Sequence, residues 1–320
     1  MATPAAMAMR TVGGHAASGD HLIVMTYNVL AQCYVRSSFF PYCAPSVLRW
    51  KNRSKCLEEV FSKELTVKPH IVCLQEVDNF DEFWARTMRN LGYQGMYVQK
   101  VRKKDGVAIF WQEDAVSLVQ HQTVSLDVPV GDEAGCNDDL LSRTVRGSVG
   151  LMIEFAKSRN PTQRFVVATT HLFWDPLQED VKLLQTQRML RTIDAFMDSR
   201  PLPLIFAGDF NSMPDSEVYR FITETHGYRS AYASYKTPAG EPDFTNVNGV
   251  RIDLTDKEVP NFIGTLDYIF FKSHRLHPAA LREMMPLELA VQERSLPSTF
   301  SPSDHLPLLC DFVLQHPPNE

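Results

Sequence analysis

A chain of 320 residues, 44% hydrophobic, 22% charged and carrying a net charge of −6, has the balance of an ordinary globular protein with room for one large or two small domains. The acidic balance excludes a generically basic nucleic-acid coat, so action on nucleic acid requires a local groove or bound metal ions. No stretch approaches the length of a membrane helix, and the cysteines at 33, 43, 56, 73, 136 and 310 show no C-x-x-C pair or regular spacing, which argues against a zinc site or a disulfide framework and suits a reducing compartment.

Residues 1–20 are rich in Ala, Gly and Met without periodicity and read as a flexible tail ahead of one domain spanning 21–320. Arg10 is the tail's only arginine and it has no secretory apolar core. The cytoplasm is therefore expected, with mitochondrion or nucleus as alternatives. Strands are expected over His21–Leu30, His70–Val77, Gly106–Trp111, Val145–Phe155, Arg164–Leu172, Leu202–Phe210, Thr265–Phe271 and Leu306–Leu314, runs rich in Val, Ile and Phe between turn residues. Helical periodicity marks Val47–Leu65 (Leu57, Val60, Phe61 and Leu65 on one stripe) and Gln178–Met197 (Val181, Leu184, Met189, Ile193 and Phe196). Pro214–Thr223 places Pro214 at a suitable first helical position with Asp215 and Glu217 in the first turn. Asp78–Leu91 carries a fourth, less regular pattern.

The helices are too few for a strict βαβ repeat. Lys157-Ser158-Arg159-Asn160-Pro161 joins its two flanking strands as an antiparallel hairpin. The expected fold class is α/β: a two-layer β-sandwich of mixed sheets flanked by helices. Two long polar loops remain, the acidic Asp127–Ser142 and Thr237–Asn261.

The run Leu202–Ala207 delivers Gly208-Asp209-Phe210-Asn211. If the extended form continues, Asp209 and Asn211 point the same way, and Gly208 permits a close backbone approach. A carboxylate and a carboxamide together suit metal-assisted attack of water on phosphate, one taking the proton and one holding the water. The bland reading is an Asx turn closing a strand. Five further strand boundaries carry metal- or phosphate-competent groups: Asn28, Gln75-Glu76, Thr170-His171, Leu266-Asp267-Tyr268 and Ser303-Asp304-His305. Singly, each has an ordinary explanation: a turn cap, a surface pair, a core histidine. Together they describe a rim of strand ends.

In order and spacing these motifs resemble the endonuclease/exonuclease/phosphatase superfamily, over about residues 21–314. The resemblance implies the two-sheet sandwich and a Mg²⁺ cofactor, with Mn²⁺ as a substitute. It implies that Glu76 is the principal metal ligand, with Asn28 beside it and Asp304 a further acid near the metal. It implies that Asp209 activates water and Asn211 orients it. His305, braced by Asp267, and His171 would contact phosphate.

Met25-Thr26-Tyr27-Asn28-Val29-Leu30-Ala31-Gln32 is similar to the opening of the carbon catabolite repressor, Nocturnin and Angel group, and His171-Leu172-Phe173-Trp174-Asp175-Pro176 to the carbon catabolite repressor deadenylases. In those enzymes a proline and a phenylalanine at the positions of Pro176 and Phe262 sandwich an adenine. The resemblance implies a Mg²⁺-dependent 3′→5′ exoribonuclease acting on the poly(A) 3′ end of RNA, with Lys100, Arg146 and Arg143 along the phosphate path. The alternative is a Nocturnin-like 2′-phosphatase acting on NADPH or an RNA 2′-phosphate. No leucine-rich repeats precede the first strand, so docking to a deadenylase complex by that route is not expected, nor is a membrane partner. The acids of 127–142 (Asp127, Asp132, Glu133, Asp138, Asp139) are expected to face away from RNA or to hold metal.

Overall fold

Leu22 and Val24 fall on one side of the first long strand and Ile23 and Met25 on the other, and all four are buried. An unbroken apolar run of this kind fits a strand covered on both faces. In the computed structural model, which describes residues 8–12, 19–64, 67–127, 137–236, 239–252 and 257–316, every central strand is built this way.

In chain order the first half carries β1 (Met9–Thr11), β2 (Asp20–Asn28), β3 (Ile71–Val77), β4 (Tyr93–Gln99), β5 (Gly106–Gln112), β6 (Val116–Ser125), β7 (Val149–Lys157) and β8 (Asn160–His171). The second carries β9 (Leu204–Asp209), β10 (Arg229–Ser230), β11 (Asn246–Asn248), β12 (Arg251–Ile252), β13 (Glu258–Val259), β14 (Phe262–Gly264), β15 (Asp267–Lys272), β16 (Leu276–Arg282) and β17 (Leu308–Leu314). One sheet runs β1-β16-β17-β2-β3-β5-β4 and the other β10-β15-β9-β8-β7-β6. Each is mixed, with one parallel pair near its middle: β2 with β3 and β8 with β9.

Inner-facing Val24, Cys73 and Ile109 of the first sheet and Ile153, Val167 and Ile205 of the second belong to one apolar cluster between the sheets. The outer face of the first sheet (Met25, Val72, Leu74) packs on Leu57 of the helix Trp50–Glu59, on Val60 and Phe61 of the wider turns that continue it to Glu64, and on Trp84 and Met88. The outer face of the second (Val166, Ala168, Phe206) packs on Met189, Leu190 and Ile193 of the long helix Glu179–Met197. The expected sandwich of mixed sheets flanked by helices is the observed architecture.

Several boundaries differ from expectation. Met9–Thr11 is not loose tail but an edge strand, pairing with Ala280–Arg282. Three residues are too short to show a period, and the open edge of β16 supplies their hydrogen bonds. Pro214 lies before its helix: Ser216 is the cap, its Oγ accepting the Tyr219 N–H at 3.1 Å, and the helix opens at Glu217. Strands β4, β6 and β16 were not expected. The first two are sheet edges with mostly solvent-facing residues, and β16 holds Pro278 at a bulge, so none carries a plain alternation. The hairpin of β7 and β8 is present, although β7 begins at Val149. Of the acidic loop, residues 128–136, including Asp132 and Glu133, lie outside the described residues, and Asp138–Thr144 is a helix. Asp127 is spent on the backbone N–H groups of Arg146 and Gly147 (2.9 and 2.7 Å), and Asp139 on Arg143 (3.0 Å).

Candidate active site

Strand polarity gathers the six motifs. Parallel β2 and β3 end together, Asn28 opposite Gln75; parallel β8 and β9 end with His171 opposite Asp209. Antiparallel β15 enters beside β9, so its first residue, Asp267, faces Asp209. Antiparallel β17 enters beside β2, which brings Ser303-Asp304-His305 to the same end. Gly208 makes the second pair possible: a Cβ there would lie 2.3 Å from the Thr170 carbonyl oxygen.

Glu76 occupies a bulge between Gln75 and Val77 with φ of 56°, a left-handed turn that re-aims the side chain out of the strand's alternation. Its Oε1 accepts from Asn28 Nδ2 (3.0 Å) and its Oε2 from the Ala31 N–H (3.0 Å). Burial, and then repulsion from Asp304 and Asp105, push its carboxyl up to about 7. Asp304 is loosely held, with Asn246 Nδ2 and Ser303 Oγ each 3.5 Å from its oxygens. Asn28 Oδ1 accepts the Leu30 N–H at 3.0 Å and keeps a lone pair. Crowded carboxylates backed by a carboxamide are a hard-oxygen donor set whose surplus negative charge a divalent cation would relieve, so these residues fit a metal.

The other half brings two histidines to Asp209. Asp209 Oδ2 accepts from Asn28 Nδ2 (2.9 Å) and has His171 Nε2 at 3.5 Å and His305 Nε2 at 3.7 Å. Burial, and then Asp267, raise its pKa, which suits a proton acceptor. His305 Nδ1 lies 2.8 Å from Asp267 Oδ2, which also accepts from Thr245 Oγ1 at 2.6 Å. Burial opposes a charge on the His305 ring, yet Asp267, Asp209 and Asp304 together raise its pKa well above the ordinary value. Asp209, Asp267 and His305 bring one ligand atom each within 4.8 Å of one another. By spacing this is a second set of groups that could hold a metal ion, beside the donors around Glu76.

Asn211 departs from the extended form, with φ of 47°. Its N–H donates to Asp209 Oδ1 at 2.9 Å, so the bland Asx turn is present and is itself the device that aims the pair. Lys182 and Gln185 of the long helix bond Asn211 O (2.6 Å) and the Phe173 N–H (2.9 Å), clasping both loops of this half. The Asn211 carboxamide donates to Leu172 O at 3.1 Å.

Of the expected substrate contacts, Phe262 is exposed on β14, which pairs with β11, and a Cβ on Gly264 would meet both Phe262 Cζ and Met213 Sδ at 2.7 Å. The ring thus stands beside the segment that follows Asn211. Pro176 is exposed in the turn before the long helix. Arg146 lies over the Phe173 ring at 4.6 Å and reaches Gln178 at 3.3 Å, and Arg143 is taken by Asp139 and Asp180. Lys100 faces Asp105 and His171. Sequence reasoning missed Arg53, which is buried and donates to Val29 O, Leu30 O, Gln32 Oε1 and Pro302 O, tying the loop behind Glu76 to the one before Asp304. An arginine four residues before Leu57, on the helix's apolar stripe, was the available signal. Thr245, which holds Asp267, had none.

The Endonuclease/Exonuclease/phosphatase family profile matches residues 25–305. Carbon catabolite repressor protein 4 homolog 4 of Arabidopsis thaliana is 32% identical over 93% of this chain and 79% of its own length. The CCR4-Not complex 3′-5′-exoribonuclease subunit Ccr4 of Yarrowia lipolytica is 27% identical over 92% of this chain, and human 2′,5′-phosphodiesterase 12 is 28% identical over 92%. The chain spans only about half the length of these two, 48% and 52%. Among solved structures, the human Nocturnin catalytic domain with bound sulfate superposes with a TM-score of 0.69 at 25% identity, over 92% of this chain and 94% of that one. ANGEL2, a 2′,3′-cyclic phosphatase, shares the fold with a TM-score of 0.78 at 24% identity, over 97% and 99%. The profile and the rim geometry agree: the chain belongs to the Endonuclease/Exonuclease/phosphatase family, within its carbon catabolite repressor, Nocturnin and Angel group, and is a phosphoester hydrolase of that family.

Proposed function

We propose that residues 21–320 form the catalytic domain of a 3′→5′ exoribonuclease that shortens poly(A), uses Mg²⁺ (with Mn²⁺ as a substitute) and releases 5′-AMP. The observation that carries the substrate choice is Phe262: an exposed aromatic face beside the Asn211–Met213 segment, where the base of a terminal nucleotide would lie. Stacking on such a face contributes about 1–3 kcal/mol per base, and Pro176 is the candidate for the opposite wall. Relatives named as 3′-5′-exoribonucleases support an RNA substrate.

Glu76, with Asn28 and Asp304, would hold the metal, which when bound supplies Lewis-acid polarisation of the phosphoryl oxygen. Asp209 takes the proton of the attacking water and Asn211 sets that water's direction. His305, charged and braced by Asp267, donates to the phosphoryl oxygen as negative charge builds on it. To test the reading, A-tailed RNA, RNA with a non-A tail, and NADPH are each incubated with the protein and Mg²⁺, then with EDTA. Stepwise loss of A, abolished by EDTA, is the expected result. Phosphate release from NADPH with no shortening of RNA would replace this reading with the 2′-phosphatase one.

A further inference from the structure

Lys100 follows β4, and its backbone N–H bonds Asp105 O at 2.9 Å. Its Nζ lies 2.9 Å from Asp105 Oδ2 and 3.0 Å from His171 Nδ1. Asp105 is fully buried, and its other oxygen accepts the Tyr34 hydroxyl at 2.5 Å. The lysine side chain is only 10% exposed, and its ammonium is paired with Asp105 and bonded to His171, so little of it is left for a substrate phosphate. An ammonium carries donors only. His171 Nδ1 must therefore be the acceptor, which leaves the ring proton on Nε2. That nitrogen lies 3.5 Å from Asp209 Oδ2, on the reacting side.

We propose that Lys100, anchored by Asp105 and Tyr34, is a positioning residue that locks His171 as the neutral Nε2–H tautomer, so that His171 offers a hydrogen bond to phosphate. The groups facing the His171 ring are Lys100 from the turn after β4, Asp209 from β9 and His305 from the loop before β17. Burial first, and then Lys100 and His305, hold its pKa well below the ordinary value. A neutral His171 has a chemical purpose: an imidazolium there, 3.5 Å from Asp209, would stabilise that carboxylate and weaken it as the acceptor of the water proton.

The inference deepens the hydrolase reading of the same site, and its spectroscopic arm needs no turnover. The full chain, labelled with ¹⁵N-histidine, is recorded in long-range ¹H–¹⁵N spectra from pH 5.5 to 8, alongside Lys100→Met, Lys100→Arg and Tyr34→Phe. The wild-type His171 ring is expected to show only Nε2 protonated across the range. In Lys100→Met the ring gains a second proton toward acid pH, and Lys100→Arg restores the wild-type pattern. The kcat on A-tailed RNA falls about 10-fold in Lys100→Met, short of the roughly 10²–10³ lost when a transition-state donor is removed outright, with KM nearly unchanged. Tyr34→Phe, which leaves the packing ring in place, moves the ring's protonation the same way by less and serves if Lys100→Met does not fold. A wild-type ring protonated on Nδ1, a ring unmoved by Lys100→Met and Tyr34→Phe, or a raised KM at constant kcat would overturn the proposal, the last pointing to a direct phosphate grip. Spectra as expected with no RNA shortening would leave this inference standing and remove the deadenylase reading.

Discussion

Replacing Asp267 by Asn tests the charge state of His305. Asp267 Oδ2 is 2.8 Å from His305 Nδ1, and Asp209 Oδ2 is 3.7 Å from Nε2. At an effective dielectric of about 20, unit charges at these separations attract by about 6 and about 4.5 kcal/mol before desolvation. Asp267 is therefore the larger support, and its removal leaves a buried imidazolium with one partner, a change that costs about 3–5 kcal/mol net. The folded-state pKa of His305 is raised, so the stability it contributes is fully present below the ordinary histidine value and is lost as pH rises through the raised one. In Asp267→Asn that upper limit moves down. Two measurements read it: kcat/KM against pH from 6 to 9, and thermal melts over the same range. The activity ratio of wild type to variant should widen as pH rises, with an overall loss of about 10²–10⁴, the size found when a buried carboxylate bracing a catalytic histidine is neutralised. An alkaline limb that does not move would refute the reasoning, because His305 would then not depend on Asp267 for its charge.

Glu76 rises to about 7 without metal, and a metal binds only its carboxylate. Mg²⁺ affinity by calorimetry should therefore climb by about tenfold per pH unit below 7 and level off above it. The metal-free fold loses stability as pH rises through 7, so the gain in melting temperature on adding Mg²⁺ should be larger at pH 8 than at pH 6, and Glu76→Ala should abolish both that gain and Mg²⁺-dependent hydrolysis. Phe262→Ala should cut the rate on A tails by about 10-fold, within the stacking range, and the rate on non-A tails by less; equal losses on both would count against a base clamp. Arg53→Leu strands four acceptors in the interior and should cost about 3–5 kcal/mol in denaturant unfolding, with Mg²⁺ affinity weakened in the protein that still folds.

What could be read from the residues follows from what sets each element. Both faces of the central strands are covered, so β2, β3, β8, β9 and β17 stand out as apolar runs, and the site residues stand out as polar breaks at their ends. Edge strands β4 and β6 have a wet face and no such contrast. The pairing of the two strand ends into one rim depends on strand polarity, and the hairpin after Lys157 was the only direct sign of it. The backbone reversal at Asn211 could be read only as an alternative, since Asn tolerates the left-handed region without requiring it. Lys100 could be found but not understood: Asp105 closes the same turn, but His171, at the end of β8, meets the lysine only in the fold.

One amide spans the seam of the molecule. Asn28 Nδ2, on the first sheet, donates to Glu76 of that sheet and to Asp209 of the other. That NH₂ group ties the two layers at the rim, and Gln75 Nε2, which donates to Thr169 Oγ1 at 3.0 Å, ties them again. If the sheets slide by the tolerance of a hydrogen bond, Glu76 and Asp209 lose their common origin, and so do His305, carried by the loop before β17, and Asp267 of β15. On this arrangement hydrolytic rate should report how the two layers seat: substitutions in the cluster between the sheets, around Val24 and Ile205, are expected to lower it from a distance, and equal losses of packing beneath the outer helices to lower it less.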